Sequence, residues 1–174
     1  MIRFCPLFSS SSGNSVYIGD SDGGILVDVG RSAKQTDLML KNIGVDPCEI
    51  KGIFLTHEHV DHVNGLCVFA KKHQIPVHAS TGTILALKQK GTLCEKHIDI
   101  SINDEPITVA GLEIKPFKIS HDCVDGRGYV ITGCDGSTKV AIATDTGYVS
   151  NDILQHLTGC RLVYIESNHD VAML

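Results

Sequence analysis

The stretch Ile53-Phe54-Leu55-Thr56-His57-Glu58-His59-Val60-Asp61-His62 sets three imidazoles and two carboxylates at the end of an apolar run. No other part of the chain concentrates so many metal-ligating side chains. Mixed nitrogen and oxygen donors suit zinc, manganese or iron(II), whereas magnesium and calcium prefer oxygen alone. Burying such a knot is costly unless a cation compensates it. Lys51 to Thr56 reads as a strand delivering the knot, and Leu66 to Lys72 as a helix after it. On extended backbone His57 and His59 point to one side and can share a cation, while Asp61 and His62 can aim at a neighbouring point. A zincin helix needs H-E-x-x-H, and Asp61 stands where its second histidine would be, so that pattern fails.

Upstream, Met1 to Leu7 reads as a strand and Phe8 to Asn14 as a polar loop with four consecutive serines. Ser15 to Gly19 and Gly24 to Val29 are strands joined at Asp20-Ser21-Asp22-Gly23. Ser32 to Gln35 offers a capping box for a helix that stops at Gly44, and Asp46 to Glu49 a short capped turn. Downstream come a strand at Pro76 to Ala79 and a helix at Thr81 to Gln89. Strands then follow at Ile107 to Val109, Leu112 to Ile119, Arg127 to Thr132 and Lys139 to Ala143. A helix capped by Ser150 runs to Leu157, and Leu162 to Ile165 is the last strand. Helices interleaved with strands, then a meander of hairpins, predict an α+β chain of mixed sheets with outer helices.

Three polar residues end apolar strands, where further ligands are expected: Asp28, His121 and Asp145. Each alone reads more readily as a turn or cap residue than as a ligand; beside the knot they read as ligands. His73, His78, His97 and His156 read as surface or helix residues without a role, and Cys123 as a bystander to His121.

At 174 residues the chain is long enough for one domain with a sizeable core. Its net charge of −5 advertises no general field for nucleic acid, although a local patch or a bound metal can still hold phosphate. Seven cysteines, with no C-x-x-C pair and no signal peptide at Met1-Ile2-Arg3, predict reduced thiols in the cytoplasm. No apolar run reaches the roughly 20 residues a membrane span needs.

The run Thr56-His57-Glu58-His59-Val60-Asp61-His62, with Asp28, His121 and Asp145 at these spacings, resembles the metallo-β-lactamase fold superfamily over nearly the whole chain. Ser9-Ser10-Ser11-Ser12-Gly13-Asn14-Ser15, Ile119-Ser120-His121-Asp122 and Glu166-Ser167-Asn168-His169-Asp170 look like its YycJ/WalJ-type members, relatives of ribonucleases Z and J. The resemblance implies an αββα sandwich with two divalent metal ions, zinc first and manganese or iron(II) as alternatives, at one edge of the sheets. It implies that His57, His59 and His121 bind the first metal, Asp61 and His62 the second, and Asp145 both. Asp28 would support the histidine loop from behind, and Glu58 would stay free of metal. A bridging aspartate in place of cysteine argues against a zinc β-lactamase of the cysteine-ligand kind. The family's further histidine, beyond the Asp145 motif, has no counterpart by position in His156 or His169, so the single domain 1–174 is expected to be incomplete at its C-terminus.

The implied activity is hydrolysis of phosphodiester bonds in DNA or RNA, with Asp61 orienting a metal-activated water. Asn14 in the serine loop, and Asn168 with His169, are the candidates for contacting substrate phosphate. A glyoxalase II-like thioester or small-ester hydrolase is the alternative, which the acidic charge favours. A metal-bearing partner module is a third. The sequence leaves the oligomeric state open.

Overall fold

The computed structural model describes residues 2–93 and 96–165. Its first sheet holds, in spatial order, β1 (Arg3–Phe8), β2 (Ser15–Asp20), β3 (Gly23–Val27), β4 (Ile50–Phe54), β5 (Val77–Ala79) and β6 (Asp99–Ser101). The first three strands pair antiparallel, because a tight turn at Ser21-Asp22 folds β2 back on β3. From β3 onward the pairs are parallel, and each needs a crossover. Those crossovers carry α1 (Ala33–Asn42), then α2 (Val60–Val63) with α3 (Leu66–His73), then α4 (Thr81–Gln89). Pro6 lies in edge strand β1, where a missing backbone donor does least harm.

The second sheet is ordered β11-β10-β9-β8-β7, from β7 (Ile107–Val109), β8 (Leu112–Lys118), β9 (Arg127–Thr132), β10 (Lys139–Ala143) and β11 (Leu162–Ile165). Only its β10–β11 pair is parallel, and the connection carries α5 (Asn151–Leu157).

Alternation along the strands assigns side chains to layers. In β3, Leu26 faces the helices with Leu40, Ile53, Leu66 and Phe69. Its neighbours Ile25 and Val27 face the other sheet, with Phe54, Ile114, Tyr129, Ile131 and Ile142. Ile153 of α5 closes the far side against Phe117 and Ala143. The result is the expected αββα sandwich. Central parallel strands buried on both faces explain why Ile25 to Val27 in β3 and Ile53 to Leu55 at the end of β4 read as continuous apolar runs. Among the described residues no helix is long and apolar enough to cross a membrane.

Three features depart from the sequence reading. Strand β6 is too short and polar to register as a pattern, and exists because it extends the parallel sheet beside β5. His78 is buried in β5, its ring stacked on Phe54 at 4.5 Å, so burial pushes its pKa down to about 4. His97 is also buried, with Nε2 3.1 Å from the Cys67 carbonyl oxygen. Both were expected at the surface or on helices; tertiary packing, not local pattern, decides their burial.

Candidate metal centre

Strands β3, β4, β8 and β10 end at one edge of the sandwich. Their ends carry Asp28, His57, His121 and Asp145 respectively. Two bonds stitch the sheets together there: Tyr129 donates its hydroxyl to Leu55 O at 2.5 Å, and Arg127 N donates to Thr56 O at 2.8 Å. The chain leaves β4 fully buried through Thr56 and His57, and His59 caps α2 in extended conformation. One turn of α2 then turns Asp61 and His62 toward the same region.

The ligand atoms converge in two groups. One nitrogen each from His57, His59 and His121 lie within 4.8 Å of one another, with His121 Nε2 3.2 Å from His59 Nδ1. His57 also joins His62 and Asp145 in a second group of the same tightness. There His62 Nε2 stands 2.9 Å from Asp145 Oδ2 and 3.5 Å from Asp61 Oδ2. His57 Nε2 is buried with no hydrogen-bond partner. A buried imidazole nitrogen left unsatisfied at the meeting point of other donors fits a divalent cation.

Asp28 sets the tautomers from behind. Its Oδ1 accepts from Thr56 N at 2.8 Å, and its Oδ2 accepts from Thr56 Oγ1 and from His62 Nδ1, both at 2.8 Å. A carboxylate only accepts, so His62 Nδ1 must carry a proton. The Thr56 hydroxyl proton is given to Asp28, so His57 Nδ1 donates to Thr56 Oγ1 at 3.0 Å. Both rings therefore turn Nε2 toward the cluster, the arrangement that orients histidine ligands. Asp28 and Asp145 both sit in the left-handed backbone region, with φ of 63° and 53°. Aspartate enters that region more readily than most side chains.

The electrostatics separate the two adjacent rings. Burial, reinforced by the charge on His62, pushes His57 down to about 4, so it is neutral at pH 7. Burial opposes the charge on His62 too, but the Asp28 carboxylate and the Asp145 contact outweigh it and carry its pKa up to about 10. Asp145 is half-buried, which works against its charge, yet its contact with His62 holds the carboxyl below its ordinary value.

Two residues beyond the expected ligands hold the cluster's shape. Asn14 is buried, its Nδ2 donating to Asp61 Oδ2 at 3.2 Å and lying 3.1 Å from His62 Nε2. Glu58, outside both groups, is buried, and its Oε1 accepts from Val124 N at 3.1 Å, tethering the loop that carries His121. A carboxylate amid three histidines could have suggested a tether, but the sequence offers no sign of its partner, 66 residues away. Gly147 N donates to Ser120 O at 2.7 Å and ties the Asp145 loop to the same segment. His156 stacks on Phe117 at 4.8 Å and joins neither group. Cys123 is likewise outside both. Asn168 and His169 lie outside the described residues.

Gly30 makes the close fit possible. Its N–H donates to Asn14 O at 2.8 Å, and a Cβ there would stand 1.7 Å from Asp61 O and 2.4 Å from Asn14 N. Both obstacles are backbone, so relief requires shifting the ligand turn itself. Gly30→Ala is expected to destabilise the fold by about 1–3 kcal/mol and to weaken metal binding. Thermal unfolding and zinc titration check this; a variant equal to wild type in both would mean that the turn yields freely.

A family model described as the metallo-beta-lactamase superfamily matches residues 10–169. The chain is 35% identical to the exodeoxyribonuclease YycJ of Bacillus anthracis, over 99% of this chain and 65% of that protein. It is 34% identical to the exodeoxyribonuclease WalJ of Streptococcus pneumoniae serotype 2, over 99% of this chain and 64% of that protein. It thus spans just under two thirds of the length of these relatives. The crystal structure of YhfI from Bacillus subtilis, a metallo-beta-lactamase fold protein, superposes with a TM-score of 0.73. That match covers 93% of this chain and 69% of YhfI, at 22% identity. With the family model covering nearly all of the chain and the same fold in a solved structure, this chain belongs to the metallo-beta-lactamase superfamily.

Proposed function

We propose that this site hydrolyses phosphodiester bonds in nucleic acid, DNA first, with the help of two divalent metal ions. The observation that carries the reading is the unsatisfied His57 Nε2, buried where the two donor groups meet. Similarity to two exodeoxyribonucleases supports the substrate class. His57, His59 and His121 would hold one ion, Asp61 and His62 the other, and Asp145 both. The donor set favours zinc, with manganese or iron(II) as alternatives. Such a pair supplies Lewis acidity toward a phosphoryl oxygen and acidifies water to a pKa of about 7.

The chain's own residues then do the positioning. Neutral His57 presents a lone pair without first losing a proton, because burial keeps it unprotonated. The Asp61 carboxylate, partly open to solvent and steadied by Asn14 Nδ2, takes up the proton of the attacking water and orients it. Asp28 and Thr56 prevent His62 and His57 from rotating. The free thiols of Cys5, Cys48, Cys67, Cys123, Cys134 and Cys160 support a reducing, cytoplasmic setting.

The test is a substrate panel with manganese or zinc: duplex DNA, single-stranded RNA and a thioester. DNA hydrolysis is expected. Turnover of the thioester alone would overturn the reading in favour of a glyoxalase II-like hydrolase, the alternative that the net charge of −5 favours.

Metal binding at His62 should also release a proton. Without metal His62 is protonated at neutral pH, since its pKa stands at about 10. A cation must displace that proton, so affinity at this position is expected to rise about tenfold per pH unit below that pKa. Calorimetric titration in buffers of different ionisation enthalpy should count close to one proton per ion bound there. A count near zero would remove His62 from the ligand set.

A further inference from the structure

Arg31 is half-buried beside the serine loop, and no carboxylate lies within ion-pair distance among the described residues. Its Nη2 donates to Ser12 Oγ at 2.5 Å and to Ser10 Oγ at 3.5 Å, while its buried Nε has no partner. The stem lies flat on the loop: a Cβ at Gly13 would meet Arg31 Cδ at 2.6 Å.

A short polar path leads from there to the cluster. Ser10 N donates to Asn14 Oδ1 at 3.2 Å, and Asn14 Nδ2 donates to Asp61 Oδ2 at 3.2 Å. Backbone bonds from Gly30 N to Asn14 O and from Asn14 N to Asp61 O, both 2.8 Å, hold the segments together. The first turn of α1, just past Arg31, has no acidic residue and carries Lys34.

Positive charge here is out of keeping with its surroundings. Apart from the ions that the cluster would hold, the chain carries a net charge of −5, which as a whole repels a polyanion. A substrate rich in phosphate needs a cation near the cut that no local carboxylate neutralises. A guanidinium fork is planar, always charged and matched to phosphate oxygens, and exposed serine hydroxyls add donors on the same side. An arginine that only braced a loop would more often do so through a carboxylate or a backbone carbonyl.

We infer that Arg31, with Ser10 and Ser12, forms an anion subsite beside the metal cluster that grips a backbone phosphate next to the scissile one. The inference rests on the phosphodiester reading of the cluster and adds how the strand is held there.

The experiment measures binding of a labelled single-stranded DNA oligonucleotide by fluorescence anisotropy over a range of sodium chloride, in chelator and, for wild type, also after metal loading. Elemental analysis of metal content runs in parallel. Arg31→Met keeps the stem against Gly13 and removes the charge; Arg31→Lys keeps the charge and removes the fork. Arg31→Met is expected to bind about tenfold more weakly and to reduce the salt slope by about 0.7, with Arg31→Lys between it and wild type in affinity. Metal content should be unchanged in both. Equal affinity and equal slope in Arg31→Met would overturn the subsite. So would a fall in metal content with DNA affinity intact, because Arg31 would then only brace the ligand loop. A metal-loaded wild type that binds no DNA at all would instead overturn the phosphodiester reading, and the subsite with it.

Discussion

His57→Ala is expected to lower phosphodiester hydrolysis by about 10³-fold or more, since it removes a donor from both groups and metal-ion catalysis supplies several kcal/mol. His57 contributes to both groups of converging atoms, and its Nε2 has no other partner. Elemental analysis should fall from about two ions per chain to one or fewer. Without metal, truncating this fully buried ring leaves a cavity, so metal-free stability should fall to some degree. The stabilisation that metal adds should shrink or vanish as well. An ion present at a thousandfold its dissociation constant adds about 4 kcal/mol, so zinc should raise the melting temperature of wild type more than that of the variant. Unchanged metal content and rate in His57→Ala would overturn the whole assignment.

Asp28→Asn should be the most damaging substitution among residues that are not themselves expected to touch metal. Asp28 is buried and accepts three hydrogen bonds, two from Thr56 and one from His62 Nδ1. An amide can accept on one side only, and its NH2 would face donors. Breaking a buried charge pair costs about 3–5 kcal/mol, and losing the partner that orients a ligand costs about 10–100-fold in metal affinity. Asparagine tolerates the left-handed backbone at φ 63°, so the variant reports on the carboxylate and not on strain. Without Asp28 the pKa of His62 falls, so the pH dependence of metal binding should move to lower pH. Urea unfolding of the metal-free chain and competition titration with zinc measure both effects. A stability change within about 0.5 kcal/mol, the usual range for surface substitutions, would show that Asp28 does not hold the ring.

Much of the architecture was legible because it is local. Apolar runs at β3, β4, β8 and β10 ended in polar residues, and the structure gathers those ends at one edge. What escaped reading was what depends on a partner far along the chain. The tripeptide at β6 becomes a strand only because β5 offers it an edge. The burial of His78 comes from Phe54 stacking across from it, which no period reveals.

By itself the sequence determined which side chains are available as ligands and in what order. The T-H-x-H-x-D-H run is contiguous, and strand periodicity places Asp28, His121 and Asp145 at strand ends. Only the tertiary structure decided which atoms face the cluster and what holds them there. Asp28 acts on Thr56 from 28 residues away, and Glu58 acts on the His121 loop from 66. Asn14 reaches the cluster only because Gly30 lets two backbones touch. The physical reason is that hydrogen bonds, burial and pKa shifts arise between groups in space, and local pattern carries no record of who meets whom.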